Sequence, residues 1–302
     1  MYWKRRHLYC LVYEGMKMDL VAIIFNSINP EAVKLAEKIH NKIAPIQNTW
    51  IIAADDIKSS EDKIKKSDLI ITVGGDGTIL RANRISAKFQ IPILGINMGR
   101  LGFMTELTAE EALDHIEEYL NQPMESESRN MLQSTIVSKT FEENKGPHHA
   151  LNDIVLARGT SSRVVTIRVK VDGADLTVFR SDAVIVSTAT GSTGYNLSVG
   201  GPILDPLSNN IVIKPVAAHI GLSTGIVLNY DSSVEMIVEG EQSAIMSIDG
   251  SYDYPLIPGD TVIIKQSNLK AQFVRSNPSN HFYKTLTRRL GFGLDISRAV
   301  RY

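Results

Sequence analysis

A chain of 302 residues, 43% hydrophobic and 22% charged, holds enough apolar material for one large domain or two modest ones. Its 32 basic and 33 acidic residues leave a formal net charge of -1, which gives no electrostatic ground for nucleic acid or an acidic membrane as a partner; an anionic ligand must be held locally. The single cysteine, Cys10, excludes an intramolecular disulfide and a cysteine-based metal site and fits a reducing compartment, the cytosol by default.

In chain order, Leu8 to Tyr13 follow the basic run Lys4-Arg5-Arg6 and imitate a signal peptide in outline only, since the apolar stretch is short and Glu14 ends it. Met16 and Met18 stand directly before the first convincing strand, so residues 1–18 are expected to be a disordered extension. No apolar run approaches the roughly 20 residues of a membrane helix. From Leu20 to about Gln122, short apolar runs alternate with amphipathic stretches, as a βαβ arrangement on parallel strands requires. Buried strands are predicted at Leu20 to Phe25, Trp50 to Ala53, Leu69 to Val73 and Ile93 to Ile96. A helix is predicted over Pro30 to Ala44, with Ala32, Leu35, Ala36, Ile39 and Ile43 inward. Another covers Ala109 to Leu120, with Ala112, Ile116 and Leu120 inward.

After Pro123 the texture becomes that of a mostly β domain, with strands at Ser134 to Lys139, Val164 to Val171, Val184 to Ser187, Ile211 to Lys214, Val234 to Val238 and Thr261 to Lys265. Asp172-Gly173, Asp249-Gly250 and Pro258-Gly259-Asp260 read as turns, several of them hairpin connections. His148-His149 falls in a Pro/Gly loop and is expected to be solvated; His281 to Leu290 reads as a helix. The division is therefore 1–18, an α/β domain over 19–124, a β-rich domain over 125–275 and a closing segment over 276–302.

The glycine loop Gly74-Gly75-Asp76-Gly77-Thr78 lies between a buried strand and a helix. Backbone N–H groups at a helix N-terminus, approached closely where side chains are missing, can surround phosphate oxygens. The loop is neither a dinucleotide fingerprint, since Leu80 stands where the third glycine would be, nor a Walker A loop, since no Lys-Ser/Thr follows. A carboxylate beside phosphates is unfavourable unless it accepts a proton or faces a metal. Asp76 is thus either a general base that orients an acceptor hydroxyl or a helix cap, and the pentapeptide alone leaves both open.

A second segment, Ser187 to Pro202, is too polar for core. Tyr195 there suits stacking on a base, while Ser192, Thr193 and Asn196 suit hydrogen bonds to a nucleoside. Asn152-Asp153, at the start of an apolar strand, reads either as a turn or as a holder of ribose hydroxyls; Asp182 is similarly ambiguous. No side-chain cluster marks a fixed metal site.

Together these segments, with Asn97-Met-Gly-Arg-Leu-Gly-Phe103, Gly200-Gly201-Pro202 and the tail Phe282-Tyr283-Lys-Thr-Leu286 followed by Leu290-Gly291-Phe292, resemble the NAD kinase family over roughly residues 19 to 295. The order of the motifs makes the resemblance specific. It implies an α/β N-terminal domain on a parallel sheet, Rossmann- or phosphofructokinase-like, a mostly β C-terminal domain that binds NAD, and a C-terminal helix returning to the first domain. It implies transfer of the ATP γ-phosphate to the 2′-hydroxyl of the adenosine ribose of NAD, giving NADP, with a divalent ion, usually Mg²⁺. Asp76 matches the catalytic aspartate. Gly75, Gly77 and Thr78 match the phosphate loop, Asn152 and Asp153 the ribose site, Thr193 and Tyr195 the flanks of adenine or nicotinamide, and Asp182 the nicotinamide end. Ser192, Ser198 and His219 complete the implied nucleotide-binding set, and a homodimer or homotetramer is implied. The sequence departs from the family at Asp153 for glutamate, Ala189 for proline, Gly194 for alanine and Ala183 for glycine, and around His219, where the usual prolines and arginine are missing. Competing expectations are a lipid or sugar kinase with a similar glycine-aspartate loop and a non-catalytic NAD-binding sensor.

Overall fold

The computed structural model describes residues 10–13, 18–99, 102–121, 124–138, 145–160, 163–219, 222–276 and 281–290. Arg100, Leu101, Gly291 and Phe292 of the motifs above, and Ile220 and Gly221 near His219, lie outside them. The chain divides into two compact units, one of residues 1–128 and 272–302 and one of residues 129–271.

In the first unit the strands are β1 (Cys10–Tyr13), β2 (Val21–Phe25), β3 (Thr49–Ala53), β4 (Leu69–Gly74), β5 (Ile93–Asn97) and β6 (Leu107–Thr108). The helices are α1 (Pro30–Ile43), α2 (Glu61–Ile64), α3 (Asp76–Phe89) and α4 (Ala109–Asn121). Parallel pairing runs in the order β3-β2-β4-β5, and β6 continues beside the end of β5. Every residue of β4 and β5 is buried, which is why both read as unbroken apolar runs rather than alternating ones.

All five residues predicted to face inward on α1 are buried, and Leu35, Ile39 and Ile43 each contribute roughly 1.5–3 kcal/mol by leaving water. Pro30 opens that helix, and the Asn29 side chain accepts from the Glu31 N–H at 3.1 Å, so the start is set by local chemistry. On α4, Ala112 and Ile116 are buried and Leu120 partly so.

One expectation is corrected here. Residues Cys10–Tyr13, assigned to a disordered extension, form a strand antiparallel to the start of β7 (Met124–Val137), with Cys10 opposite Glu127 and Tyr13 opposite Met124. A four-residue apolar run too short to signal anything alone becomes a strand once a partner edge exists. The pairing also makes the sheet mixed rather than purely parallel.

The second unit is antiparallel. It contains β8 (Lys145–Ala150), β9 (Asp153–Arg158), β10 (Val165–Val171), β11 (Ala174–Ser181), β12 (Ala183–Thr188) and β13 (Asn210–Val216). It continues with β14 (Ile226–Asn229), β15 (Val234–Glu239), β16 (Ala244–Ile248), β17 (Tyr252–Leu256) and β18 (Thr261–Arg275), whose last residues belong to the first unit. One sheet has the order β14-β13-β12-β9-β16-β17; β11, β10, β15 and the start of β18 form another series. Alternating residues such as Val165, Ile167 and Val169 of β10 share one core with Val184 and Val186 of β12.

The Asp172-Gly173 and Asp249-Gly250 turns have positive φ at both residues (50° and 81°; 48° and 63°), the conformation that two-residue hairpins require. They close the β10–β11 and β16–β17 hairpins. Pro258-Gly259-Asp260 instead carries the chain from β17 in one sheet to β18 in the other. His148 and His149, expected in a solvated loop, lie on β8. His148 stacks on Tyr254 at 4.4 Å, with burial pushing its pKa down, and His149 Nδ1 is 2.8 Å from Ser267 Oγ. Pro147 and Gly146 conceal that strand from a propensity reading.

Candidate active site

The turn from β4 into α3 decides between the two readings of Asp76. Gly75 is the N-cap of α3, and Asp76 is the first helical residue, one position past the cap. Its carboxylate turns to another loop: Oδ2 accepts from the Phe103 N–H at 3.2 Å and Oδ1 from the Met104 N–H at 3.3 Å. The helix-cap reading therefore fails. Asp76 is only partly buried, so a carboxylate fixed by two main-chain amides still reaches solvent.

The glycines around it have different duties. A Cβ on Gly74 would lie 2.9 Å from Thr78 Cβ, and one on Gly102 would lie 2.9 Å from Asp76 Cγ, so both are required by internal packing. At Gly75 and Gly77 a Cβ would meet none of the described residues within 4 Å, both glycines are exposed, and neither has a positive φ. Their bareness serves no contact among the described residues and leaves the amides at the start of α3 open to a ligand. Thr78 is buried in front of Gly74.

The loop holding Asp76 is itself held. Arg275 Nη2 donates to the Met104 carbonyl at 3.1 Å, and Nη1 donates to the Thr105 carbonyl and Glu106 Oε2, both at 3.2 Å. The Arg275 and Glu106 side chains are 1% and 4% exposed. Glu106 Oε1 also accepts from the Ser276 N–H at 2.9 Å and from Tyr119 Oη at 3.1 Å. A buried charge pair this well hydrogen-bonded fixes geometry, whatever it adds to stability. Neither Arg275 nor Glu106 belongs to any sequence motif noted above.

In the second unit, the β12 end and the following residues form a folded element rather than an open loop. Gly191–Thr193 is a 3₁₀ turn and Tyr195–Ser198 a one-turn helix, here α5. A Cβ on Gly191 would lie 2.5 Å from the Asn152 carbonyl carbon, so this glycine lets the two segments touch backbone to backbone. Tyr195 is 43% exposed, as a stacking surface needs. Thr193 is half-buried and donates to the Thr190 carbonyl at 3.2 Å; Ser198 is exposed and donates to the Gly194 carbonyl at 3.2 Å.

Two residues expected to meet a nucleoside, Ser192 and Asn196, are buried and bonded within their own turn. Ser192 is fully buried, its Oγ donating to the Ala189 carbonyl at 2.7 Å and accepting from the Leu204 N–H at 3.0 Å. Asn196 is equally buried, its amide donating to the carbonyls of Ser192 and Pro202 at 3.0 and 2.9 Å. Their polarity reflects a turn that has to satisfy its own backbone.

Asn152 and Asp153 sit where three consecutive amides converge on one carboxylate. Asp249 accepts from the N–H groups of Leu151, Asn152 and Asp153 at 3.0, 2.7 and 3.1 Å. Read in the sequence only as a hairpin turn, Asp249 is the anchor of this loop. Burial, with Asp249 nearby, pushes the Asp153 carboxyl up to about 7. Asp182 pairs with Arg158 at 3.1 Å. His219 is exposed, and its N–H donates to the Arg180 carbonyl at 2.8 Å. Two residues earlier, Ala217 has a φ of 48°, an uncommon conformation for a residue with a side chain.

Comparison with known proteins places this geometry. The ATP-NAD kinase N-terminal domain family matches residues 56–124, and the ATP-NAD kinase C-terminal domain family matches residues 151–276. An NAD kinase from Dehalococcoides mccartyi is 37% identical over 271 residues, covering 89% of this chain and 95% of that protein. One from Chloroflexus aggregans is 34% identical over 282 residues, covering 90% and 99%. Among solved structures, yeast NADH kinase complexed with NADH superposes with a TM-score of 0.81 at 23% identity, covering 93% of this chain and 89% of that one. An Archaeoglobus fulgidus NAD kinase in complex with ATP gives 0.70 at 24% identity, covering 89% and 98%. With both domain families matched in order and relatives above 30% identity along nearly its whole length, the chain belongs to the NAD kinase family.

Proposed function

We propose that this chain transfers the γ-phosphoryl group of ATP to the 2′-hydroxyl of the adenosine ribose of NAD, forming NADP. The observation that carries the reading is Asp76: a carboxylate one position past the cap of α3, gripped by two amides of another loop and flanked by glycines that no described residue requires to be bare. In this role it orients the acceptor hydroxyl and takes its proton as the new bond forms. Gly75 and Gly77 admit the phosphates, with the dipole of α3 favouring their charge. Tyr195 and Thr193 flank a base, Asn152 and Asp153 meet ribose hydroxyls, and Asp182, Ser198 and His219 contribute to the nucleotide site.

Among the described residues no group of three His, Cys, Asp or Glu side chains is placed to hold a cation. The divalent ion that ATP-dependent transfer calls for, in our reading Mg²⁺, would arrive with the nucleotide rather than on a protein side-chain cluster, and would supply charge neutralisation. No described helix is long and apolar enough to cross a membrane. We place the enzyme in the cytoplasm as a homodimer or homotetramer. The comparisons lend no support to the lipid-kinase, sugar-kinase or sensor alternatives.

The test is purified protein with ATP, Mg²⁺ and NAD, the product read by an NADP-specific dehydrogenase. NADP should accumulate, and Asp76→Asn should slow it by on the order of a thousandfold. An absence of NADP, or an unaltered rate in the variant, would contradict the proposal. Running the same assay with NADH, polyphosphate, diacylglycerol and sphingosine sets donor and acceptor range, and light scattering sets the oligomer.

A further inference from the structure

The helix that closes the described chain, α6 (His281–Arg289), carries two arginines in its last turn, Arg288 and Arg289. Arg288 is exposed. Arg289 reaches the proposed base: its Nη1 lies 3.7 Å from Asp76 Oδ2, and its guanidinium stacks over the Phe103 ring at 4.6 Å. Phe103 therefore holds both charges, the carboxylate through its main-chain N–H and the guanidinium through its ring. The ring is itself buried and packs 6.1 Å from Phe282 of the same helix.

From this arrangement we infer that Arg289 is a second catalytic residue, a cation that meets the γ-phosphoryl group in flight between ATP and the acceptor. The inference rests on the kinase reading above. In that step the bond from the γ-phosphorus to the β,γ-bridging oxygen breaks and ADP keeps the electron pair. The ribose 2′-oxygen forms the new bond to phosphorus, and its proton passes to the Asp76 carboxylate. Asp76 and the phosphoryl oxygens are both negative, and bringing them together without a cation is opposed by repulsion.

The geometry is that of a group held ready rather than spent. At 3.7 Å the Arg289–Asp76 contact is longer than a hydrogen bond, so it orients the guanidinium without saturating its donors. Stacking on Phe103 fixes the guanidinium face and leaves its N–H edges for phosphate oxygens, a task for which arginine's planar fork is suited. Both side chains reach solvent, at 36% and 27% exposure. Arg275 in the same unit shows the opposite arrangement: it is 1% exposed and its terminal nitrogens are engaged by carbonyls and Glu106. A helix C-terminus favours any cation through its dipole, but Arg288 serves that purpose equally, and the dipole does not account for the approach to Asp76.

The test compares wild type with Arg289→Gln, Arg289→Lys and Arg288→Gln, measuring kcat, the KM for NAD and the melting temperature. Arg289→Gln should lose about a hundredfold in kcat with the KM for NAD within about threefold, as expected when a charge acting on the transition state is removed. Arg289→Lys should recover part of the loss, remaining about tenfold down, and Arg288→Gln should match wild type. Melting temperatures should agree within about 2 °C, since the pair is part-exposed. A wild-type kcat in Arg289→Gln, or an equal loss in Arg288→Gln, overturns the role of Arg289 and leaves the NAD kinase reading standing. Should Arg289→Gln be too unstable to assay, Arg289→Met decides in its place, because a wild-type kcat there would show that no cation is needed. Wild-type protein that makes no NADP overturns both.

Discussion

Replacing Gly102 with alanine should disable the enzyme while leaving it folded. The added methyl would stand 2.9 Å from Asp76 Cγ, where relaxed carbon contacts are about 3.5–4.0 Å. The loop cannot readily retreat. Arg275 holds the Met104 and Thr105 carbonyls, Thr105 is fully buried, and its Oγ1 accepts from the Gly102 N–H at 3.1 Å. The part-exposed carboxylate is the softer partner and moves by roughly 1 Å, a displacement that costs about a hundredfold in rate, or about 2.7 kcal/mol of barrier. Initial rates of NADP formation at varied NAD and ATP should show that loss in kcat, with a melting temperature within about 3 °C of wild type. A double-mutant cycle with Asp76→Asn isolates the route: if the methyl acts through Asp76, adding it to that variant costs nothing further. A kcat within twofold of wild type, or a full second loss in the double variant, would refute the reasoning.

Gly75→Ala and Gly77→Ala should leave thermal stability unchanged, because the new methyl meets no described residue within 4 Å, yet raise the KM for ATP by on the order of tenfold; a fall in melting temperature with ATP kinetics intact would reverse that assignment. Asp249→Ala leaves the amides of Leu151, Asn152 and Asp153 without their acceptor and should cost about 3 kcal/mol or more in urea unfolding, together with a higher KM for NAD. Asp153 supplies a pH dependence. Its carboxyl, raised from 3.8 to about 7 by burial and Asp249, holds a proton in the folded state that the unfolded chain has released, so stability falls as pH rises through that window. Asp153→Asn should therefore gain on wild type between pH 5 and pH 8, by on the order of 2–4 kcal/mol; equal differences at the two values would rule this out.

The sequence was most legible where local pattern and tertiary demand agree. The five inward residues of α1 and the two Asp-Gly hairpin turns follow from periodicity and from the need for positive φ. The long strand β7 was seen only in its second half, because its first half buries Ser126, Glu127 and Arg129, polar residues that a hydrophobicity pattern sends outward. β8 was hidden by Gly146-Pro147, and β17 by Asp253 and Pro255, residues that strands disfavour. In the candidate site, Asp76 and its glycines stand out because phosphate chemistry needs unusual residues close together in sequence. Asp249, Arg275 and Arg289 do not, since their roles arise from contacts spanning roughly 100 to 200 residues that no local signal encodes. The internal bonds of Ser192 and Asn196 were invisible for a related reason: a polar turn that bonds to its own backbone has the same composition as one that binds a ligand.

The grip of Arg275 on the Asp76 loop also bears on the order of events during synthesis. Asp76 and Phe103 leave the ribosome early, but the arginine that holds the Met104 and Thr105 carbonyls lies 171 and 170 residues beyond them. At the usual pace of translation that separation is a wait on the order of ten to thirty seconds, through which the loop must persist without its buried cation. The phosphate loop can thus form on the nascent chain, while the placement of its base is completed only as the end of the chain arrives.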